Sequence, residues 1–257
     1  MTVSRFEKSK VNSRKSKEKK MRKILITNDD GIASDGIVRL ARAAKAFGEV
    51  WVVAPDSQRS AVSHSVILRR DILVWETDFP VDGVHAFACD GMPADCVRIG
   101  VLNIVPGGPD VILSGINFGF NAATDIQYSA TAGAAFEGAF QGIRSIAFSE
   151  DCSPEHSSTD RYLPEILSEL IDCPPGENRI WNVNFPGCRA EECRGILRDR
   201  KVSTACLFSD SYLPNLLPDG KTAYNVCGKR MSEAEEGTDL RAVFDNYVSI
   251  GIVNNIQ

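Results

Sequence analysis

The run Lys23-Ile24-Leu25-Ile26-Thr27-Asn28-Asp29-Asp30-Gly31 decides the fold of this 257-residue chain. The continuous apolar run Ile24-Leu25-Ile26, stopped abruptly by turn-forming residues after Thr27, predicts a short buried strand from Arg22 to Thr27. An amphipathic helix is expected from about Asp35 to Phe47, with Ile37, Leu40, Ala41 and Ala44 at helical spacing and Gly48 as its stop. Glu49 to Ala54 predicts a second buried strand, closed by Pro55. Strand, helix and strand in about 30 residues make a βαβ unit, hence a parallel sheet with right-handed crossovers.

Outward from that unit the rhythm repeats. Extended structure is expected from Ser65 to Thr77 and a strand from His85 to Cys89. A helix is predicted from Ala94 to Val105, with Pro93 near its first turn. Strands are predicted at Asp110–Ser114 and Ser145–Ser149, separated by an Ala- and Gly-rich helix from Ser129 to Gly142. Beyond Pro174 the pattern turns to β: Arg179–Phe185 alternates, Asp219-Gly220 marks a hairpin turn, and Val248–Val253 is a final strand. The expected fold is α/β: a Rossmann-like, mostly parallel sheet with helices on both faces and a β-rich C-terminal arm or hairpin. In domain terms this means a disordered basic tail at 1–20, a metal- and phosphate-binding core at 21–150, and a continuation at 151–257 with an arm at about 203–232.

Composition narrows the function classes. The chain is 43% hydrophobic and 25% charged, as in ordinary globular proteins. No run of about 18 apolar residues exists to cross a membrane, and no apolar segment follows the basic start to make an export signal. The eight cysteines are therefore expected as free thiols in a reducing cytoplasm. Ten of the 29 Lys and Arg fall in the first 23 residues, against two of the 34 Asp and Glu, which leaves an acidic body. That balance argues against a stable nucleic-acid partner. The tail reads as a solvated extension, or as sequence upstream of a start at Met21.

In parallel sheets ligands bind beyond the carboxyl ends of the strands, and three polar clusters fall there. Asn28-Asp29-Asp30-Gly31 places two repelling carboxylates side by side, a costly pair unless a hard divalent cation sits between them; the competing reading is a plain surface turn. Asp56-Ser57-Gln58-Arg59-Ser60 offers hydroxyls and an anion-binding Arg59, with His64 as an incidental loop histidine. Ser114-Gly115-Ile116-Asn117 extends through Asn121 to Ser129 and Thr131, where a helix N-terminus favours phosphate. Together these oxygen-rich clusters point to metal-assisted phosphoryl chemistry.

Several stretches resemble the SurE (survival protein E) family. They are Ile24 to Gly31, Val53-Ala54-Pro55-Asp56 with Arg59-Ser60, and Gly91-Met92-Pro93-Ala94-Asp95. Ser114-Gly115-Ile116-Asn117, Tyr128-Ser129 with Thr131, Asn182-Val183-Asn184-Phe185-Pro186, and Glu236-Gly237-Thr238-Asp239 follow in the family's order. The resemblance implies a metal-dependent 5′/3′-nucleotidase. Asp29, Asp30, Ser60 and Asn117 would hold one divalent ion per subunit, Mg²⁺ or Mn²⁺. Asp29 or Asp30 would also orient the attacking water, while Asn121, Ser129 and Thr131 would bind the phosphate of a nucleoside monophosphate. It also implies a homodimer or homotetramer built through an exchanged C-terminal arm.

Two alanines, Ala61 and Ala130, stand where the resemblance leads one to expect glycine, and at positive φ either would cost about 1 kcal/mol. These departures keep a non-catalytic nucleotide-binding protein as an alternative. An aspartyl-phosphate phosphatase wants Asp-x-Asp rather than adjacent aspartates, and a receiver-like signalling module wants an Asp after a central strand where Ser114-Gly115 stands.

Overall fold

Strand β1 (Lys23–Thr27) lies inside a nine-stranded sheet and is covered on both faces, which is why its sequence shows no alternation. The computed structural model describes residues 21–256; the tail expected over residues 1–20 lies outside the described residues. The chain continues through α1 (Asp35–Ala44), β2 (Glu49–Pro55), β3 (Val74–Glu76), β4 (His85–Cys89), α2 (Pro93–Ile99) and β5 (Val111–Phe118). Next come α3 (Ala130–Phe140), β6 (Arg144–Glu150), α4 (Ser157–Leu170), β7 (Arg179–Phe185) and β8 (Ile196–Leu197). The last elements are β9 (Phe208–Leu216), β10 (Thr222–Arg230), α5 (Asp239–Phe244) and β11 (Val248–Asn254).

The strand order is β3-β4-β2-β1-β5-β6-β7-β11-β8. From β4 to β7 every pairing is parallel, as the βαβ reading requires. Strand β3 caps one edge antiparallel to β4, and β11 runs antiparallel to β7 near the other. Ile24 and Ile26 of β1 pack with Ile37 and Leu40 of α1 and Leu163, Ile166 and Leu167 of α4. Leu25 points to the opposite face, against Cys96 and Val97 of α2. Full burial of each such aliphatic side chain contributes roughly 1.5–3 kcal/mol.

Several elements differ from expectation. The extended stretch Ser65–Thr77 condenses to three residues of strand at the edge. The helix expected to reach Val105 ends at Ile99 and widens into a single π turn, Gly100–Ile104, in which only Gly100 is buried. Val101 and Ile104 still pack against the core there, while Leu102 projects into solvent. Helix α4 was not anticipated. It carries Leu163, Ile166, Leu167 and Leu170 on one buried face, with Pro164 inside.

The C-terminal hairpin is present as expected. Strands β9 and β10 form a separate two-stranded sheet in continuous antiparallel register, from Phe208 opposite Arg230 to Leu216 opposite Thr222. Tyr212, Leu213, Leu216, Tyr224 and Val226 are all exposed on it. At its root Arg230 makes a bidentate ion pair with Asp151, at 2.9 Å for each bond, and lies over the Phe120 ring. Buried Asp239 accepts hydrogen bonds from the backbone N–H of Ala123, Ser203 and Leu240, tying α5 to the loop after β5. All eight cysteines are free, and no helix among the described residues is long and apolar enough to cross a membrane.

Candidate active site

Strands β2 and β4 lie to one side of β1, and β5, β6 and β7 to the other. This reversal opens a crevice at the carboxyl ends of β1 and β5, where Thr27 and Ser114 are register partners. Two glycines let the chain close in there. A Cβ on Gly36 would lie 2.0 Å from the Ile116 carbonyl, so only glycine lets α1 approach the end of β5. Gly115 has φ +132°, and a Cβ there would lie 2.3 Å from the Phe148 carbonyl.

Asp29 and Asp30 leave β1 into this crevice. Asp29 is 2% exposed, and Thr131 donates its hydroxyl to Asp29 Oδ1 at 2.6 Å. The Arg59 N–H donates to the Asp29 carbonyl at 2.6 Å, which draws the loop after β2 to the end of β1. Asp30 Oδ2 accepts from the Phe118 N–H at 3.0 Å, one residue beyond Asn117. The Gln58 side chain donates to Ser60 Oγ at 3.1 Å and lies near enough to Asp30 to favour its ionised form. Asn117 donates its amide N–H to the Gly119 carbonyl at 2.7 Å, which leaves its own carbonyl oxygen available as a ligand. Hydrogen bonds thus link Asp30 to the segment carrying Asn117, and Gln58 to Ser60.

The electrostatics are those of an incomplete anionic site. Burial pushes the Asp29 carboxyl up to about 6; the charge of Asp30 adds to this, and the Thr131 bond opposes it. Burial likewise raises Asp30, against the Phe118 hydrogen bond and the nearby Gln58 side chain. No Lys, Arg or His of the described chain is paired with either carboxylate. Thr27 Oγ1, Asn28 Oδ1 and Ser114 Oγ are buried nearby without partners. Among the described residues no three His, Cys, Asp or Glu side chains converge. Two carboxylates with neutral oxygens suit a hard, oxygen-preferring divalent ion rather than a thiolate- or imidazole-bound one.

The remaining expected residues take supporting positions. Thr131, fully buried, spends its hydroxyl on Asp29. Ser129 caps α3, its Oγ accepting from the Ala132 N–H at 2.9 Å. Asn121 is buried, and its amide nitrogen donates to Ser149 Oγ at 2.6 Å. His64 is held by Glu137 at 2.9 Å and stacks on Phe140. A cleft of about 370 Å³ opens beside Asp30, between Phe118, Gln58, Glu150 and His156. A larger cavity of about 450 Å³ lies at the opposite, amino-terminal ends of β5, β6 and β7, beside Asp110, Arg144 and Arg179.

Residues 24–205 match the sequence model of the family described as Survival protein SurE. The chain belongs to the SurE family. It is 44% identical over 234 residues to a Thermus thermophilus protein named 5′-nucleotidase SurE 1, covering 89% of this chain and 90% of that one. It is 38% identical over 239 residues to a Mesorhizobium japonicum protein named 5′-nucleotidase SurE, covering 89% and 91%. The crystal structure of the Aquifex aeolicus SurE protein superposes with a TM-score of 0.78 at 35% identity, over 90% of this chain and 93% of that one.

Two groups of this SurE chain take roles that the sequence reading does not assign. Asn182 and Asn184 donate their side-chain N–H groups to the Asn121 carbonyl, at 2.8 and 3.1 Å, and Asn184 Oδ1 accepts from the Asn121 N–H. Their i, i+2 spacing on β7 was the available signal: two amides on one face of an otherwise apolar strand. Gln58 gave no such signal. The two alanines separate cleanly. Ala61 has φ +58°, whereas Ala130 begins α3 in ordinary helical geometry. Only Ala61 sits where glycine would be favoured.

Proposed function

We propose that this chain is a metal-dependent phosphomonoesterase that hydrolyses nucleoside 5′-monophosphates, and 3′-monophosphates, to nucleoside and phosphate. The observation that carries the reading is buried Asp29 beside half-buried Asp30 at the switch point, two carboxylates with no cation of the described chain paired with them. Asp29, Asp30, Ser60 and Asn117 would hold one Mg²⁺ or Mn²⁺ per subunit. Bound there, such an ion supplies Lewis-acid polarisation of a phosphoryl oxygen and a more acidic bound water.

The chain's own residues then divide the work. Thr131 keeps the Asp29 carboxylate oriented and favours its ionised form. Phe118 N–H and Gln58 do the same for Asp30, so that one of the two carboxylates can align the attacking water. The N-terminus of α3, capped by Ser129, favours the phosphate through its helix dipole. Asn121, braced by Asn182 and Asn184, sets the opposite wall.

Names of relatives agree with the nucleotidase reading. The exposed apolar hairpin β9–β10 supports a homodimer or homotetramer. The deciding experiment is phosphate release from 5′-AMP and 3′-AMP with Mg²⁺ or Mn²⁺ and with EDTA. Turnover abolished by EDTA and by Asp29→Asn is expected; equal turnover with and without metal would sink the proposal.

A further inference from the structure

The cleft beside Asp30 has a volume of about 370 Å³, within the range of small-molecule sites. Its contents are not those of a phosphate site. Phe118 directly follows Asn117 in the chain, and its backbone is bonded to Asp30, yet the residue is 52% exposed. An aromatic ring left open at a site mouth offers a stacking face.

Beside Phe118, as its register partner on β6, stands Glu150, 3% exposed and lining the same cleft. Arg39 holds its Oε1 at 2.8 Å, and His156 Nδ1 lies 3.0 Å from the same oxygen. Its Oε2 is buried with no hydrogen-bond partner, an acceptor that awaits a donor. The surroundings are anionic, since Asp35, Asp160 and Glu150 outnumber Arg39, which pairs with all three. Such a wall favours a ligand edge carrying N–H groups and repels one carrying two carbonyls.

Resting on the phosphomonoesterase reading above, we infer that this cleft is the nucleoside subsite. Phe118 stacks the base and Glu150 accepts from an exocyclic amino group, so that AMP, GMP and CMP are preferred to UMP.

The test compares kcat/KM for 5′-AMP, 5′-UMP and ribose 5-phosphate, with Mn²⁺, on the full chain. Wild type is expected to favour AMP over ribose 5-phosphate by roughly tenfold or more and AMP over UMP by roughly fivefold. Phe118→Ala, a change at an exposed side chain, should collapse the first ratio mainly through KM. Glu150→Gln adds an amide that can donate to uracil O4 and should narrow the second. Equal turnover of AMP and ribose 5-phosphate by wild type, or ratios untouched by Phe118→Ala, would overturn the subsite while leaving the phosphatase reading intact. If none of the three substrates is cleaved, the phosphatase reading fails instead. Calorimetry of AMP against ribose 5-phosphate on Mn²⁺-loaded protein then decides the subsite: tighter AMP binding supports it, equal binding overturns it.

Discussion

Thr131 and Asp29, 102 residues apart in the chain, share a buried hydrogen bond of 2.6 Å that joins the start of α3 to the end of β1. The bond supports the ionised form of a carboxylate that burial disfavours, and it carries two of the predictions below.

Asp29→Asn should abolish metal-dependent turnover and yet stabilise the metal-free protein at neutral pH. The native carboxyl is raised to about 6, above its unfolded value of about 3.9. A raised acid carries no penalty below the unfolded value; the penalty grows as pH rises through the window from about 4 to 6 and is full above it. Its size is on the order of 1–3 kcal/mol. Melting of both proteins in EDTA at pH 4 and pH 7 checks this: the variant's advantage should be present at pH 7 and gone at pH 4. An advantage that does not change with pH would contradict the assignment.

Thr131→Val keeps the shape and removes the donor. Asp29 should then hold its proton to higher pH, so Mn²⁺ affinity should weaken by about tenfold at pH 6 and less at pH 8. Calorimetric titration at the two pH values is the measurement. Equal losses at both would mean that Thr131 acts through packing alone.

Ala61→Gly should stabilise the fold by about 0.5–1 kcal/mol, because a residue at φ +58° loses its Cβ strain. The matched change Ala130→Gly should destabilise by a similar amount, since it puts glycine in the first turn of α3. Opposite signs in denaturant unfolding are the expected result, and same-sign shifts would refute the argument.

Leu213→Asp with Val226→Asp should convert an oligomer to monomers by charging the exposed hairpin faces. Light scattering after size-exclusion chromatography reads the mass, and circular dichroism checks that the sheet survives. An unchanged mass would place the subunit contact elsewhere.

Much of this was legible in the sequence. Ile24 to Ile26 reads as a buried strand, which β1 is, and the adjacent aspartates at its end point to the candidate site. Helix α4 was hidden because Pro164 and a polar first turn mask a regular stripe of Leu163, Ile166, Leu167 and Leu170. The supporting roles of Thr131 and Asn121 were hidden for a different reason. Which group a hydroxyl or an amide meets depends on how α3 crosses β1 and how β7 lies beside the loop after β5. No local pattern encodes that crossing. Both residues are expected from the sequence to touch phosphate, and the structure adds the protein partners that hold them.

Asp239 has a consequence for how the molecule comes into being. The ribosome delivers Asp29, Asp30, Ser60 and Asn117 in the first half of the chain, but the loop beyond Asn121 is clamped by a carboxylate that emerges only near the end. A polypeptide interrupted before residue 239 carries all four proposed ligands and still lacks the brace on the wall beside them. Competence is therefore one of the last properties that synthesis confers.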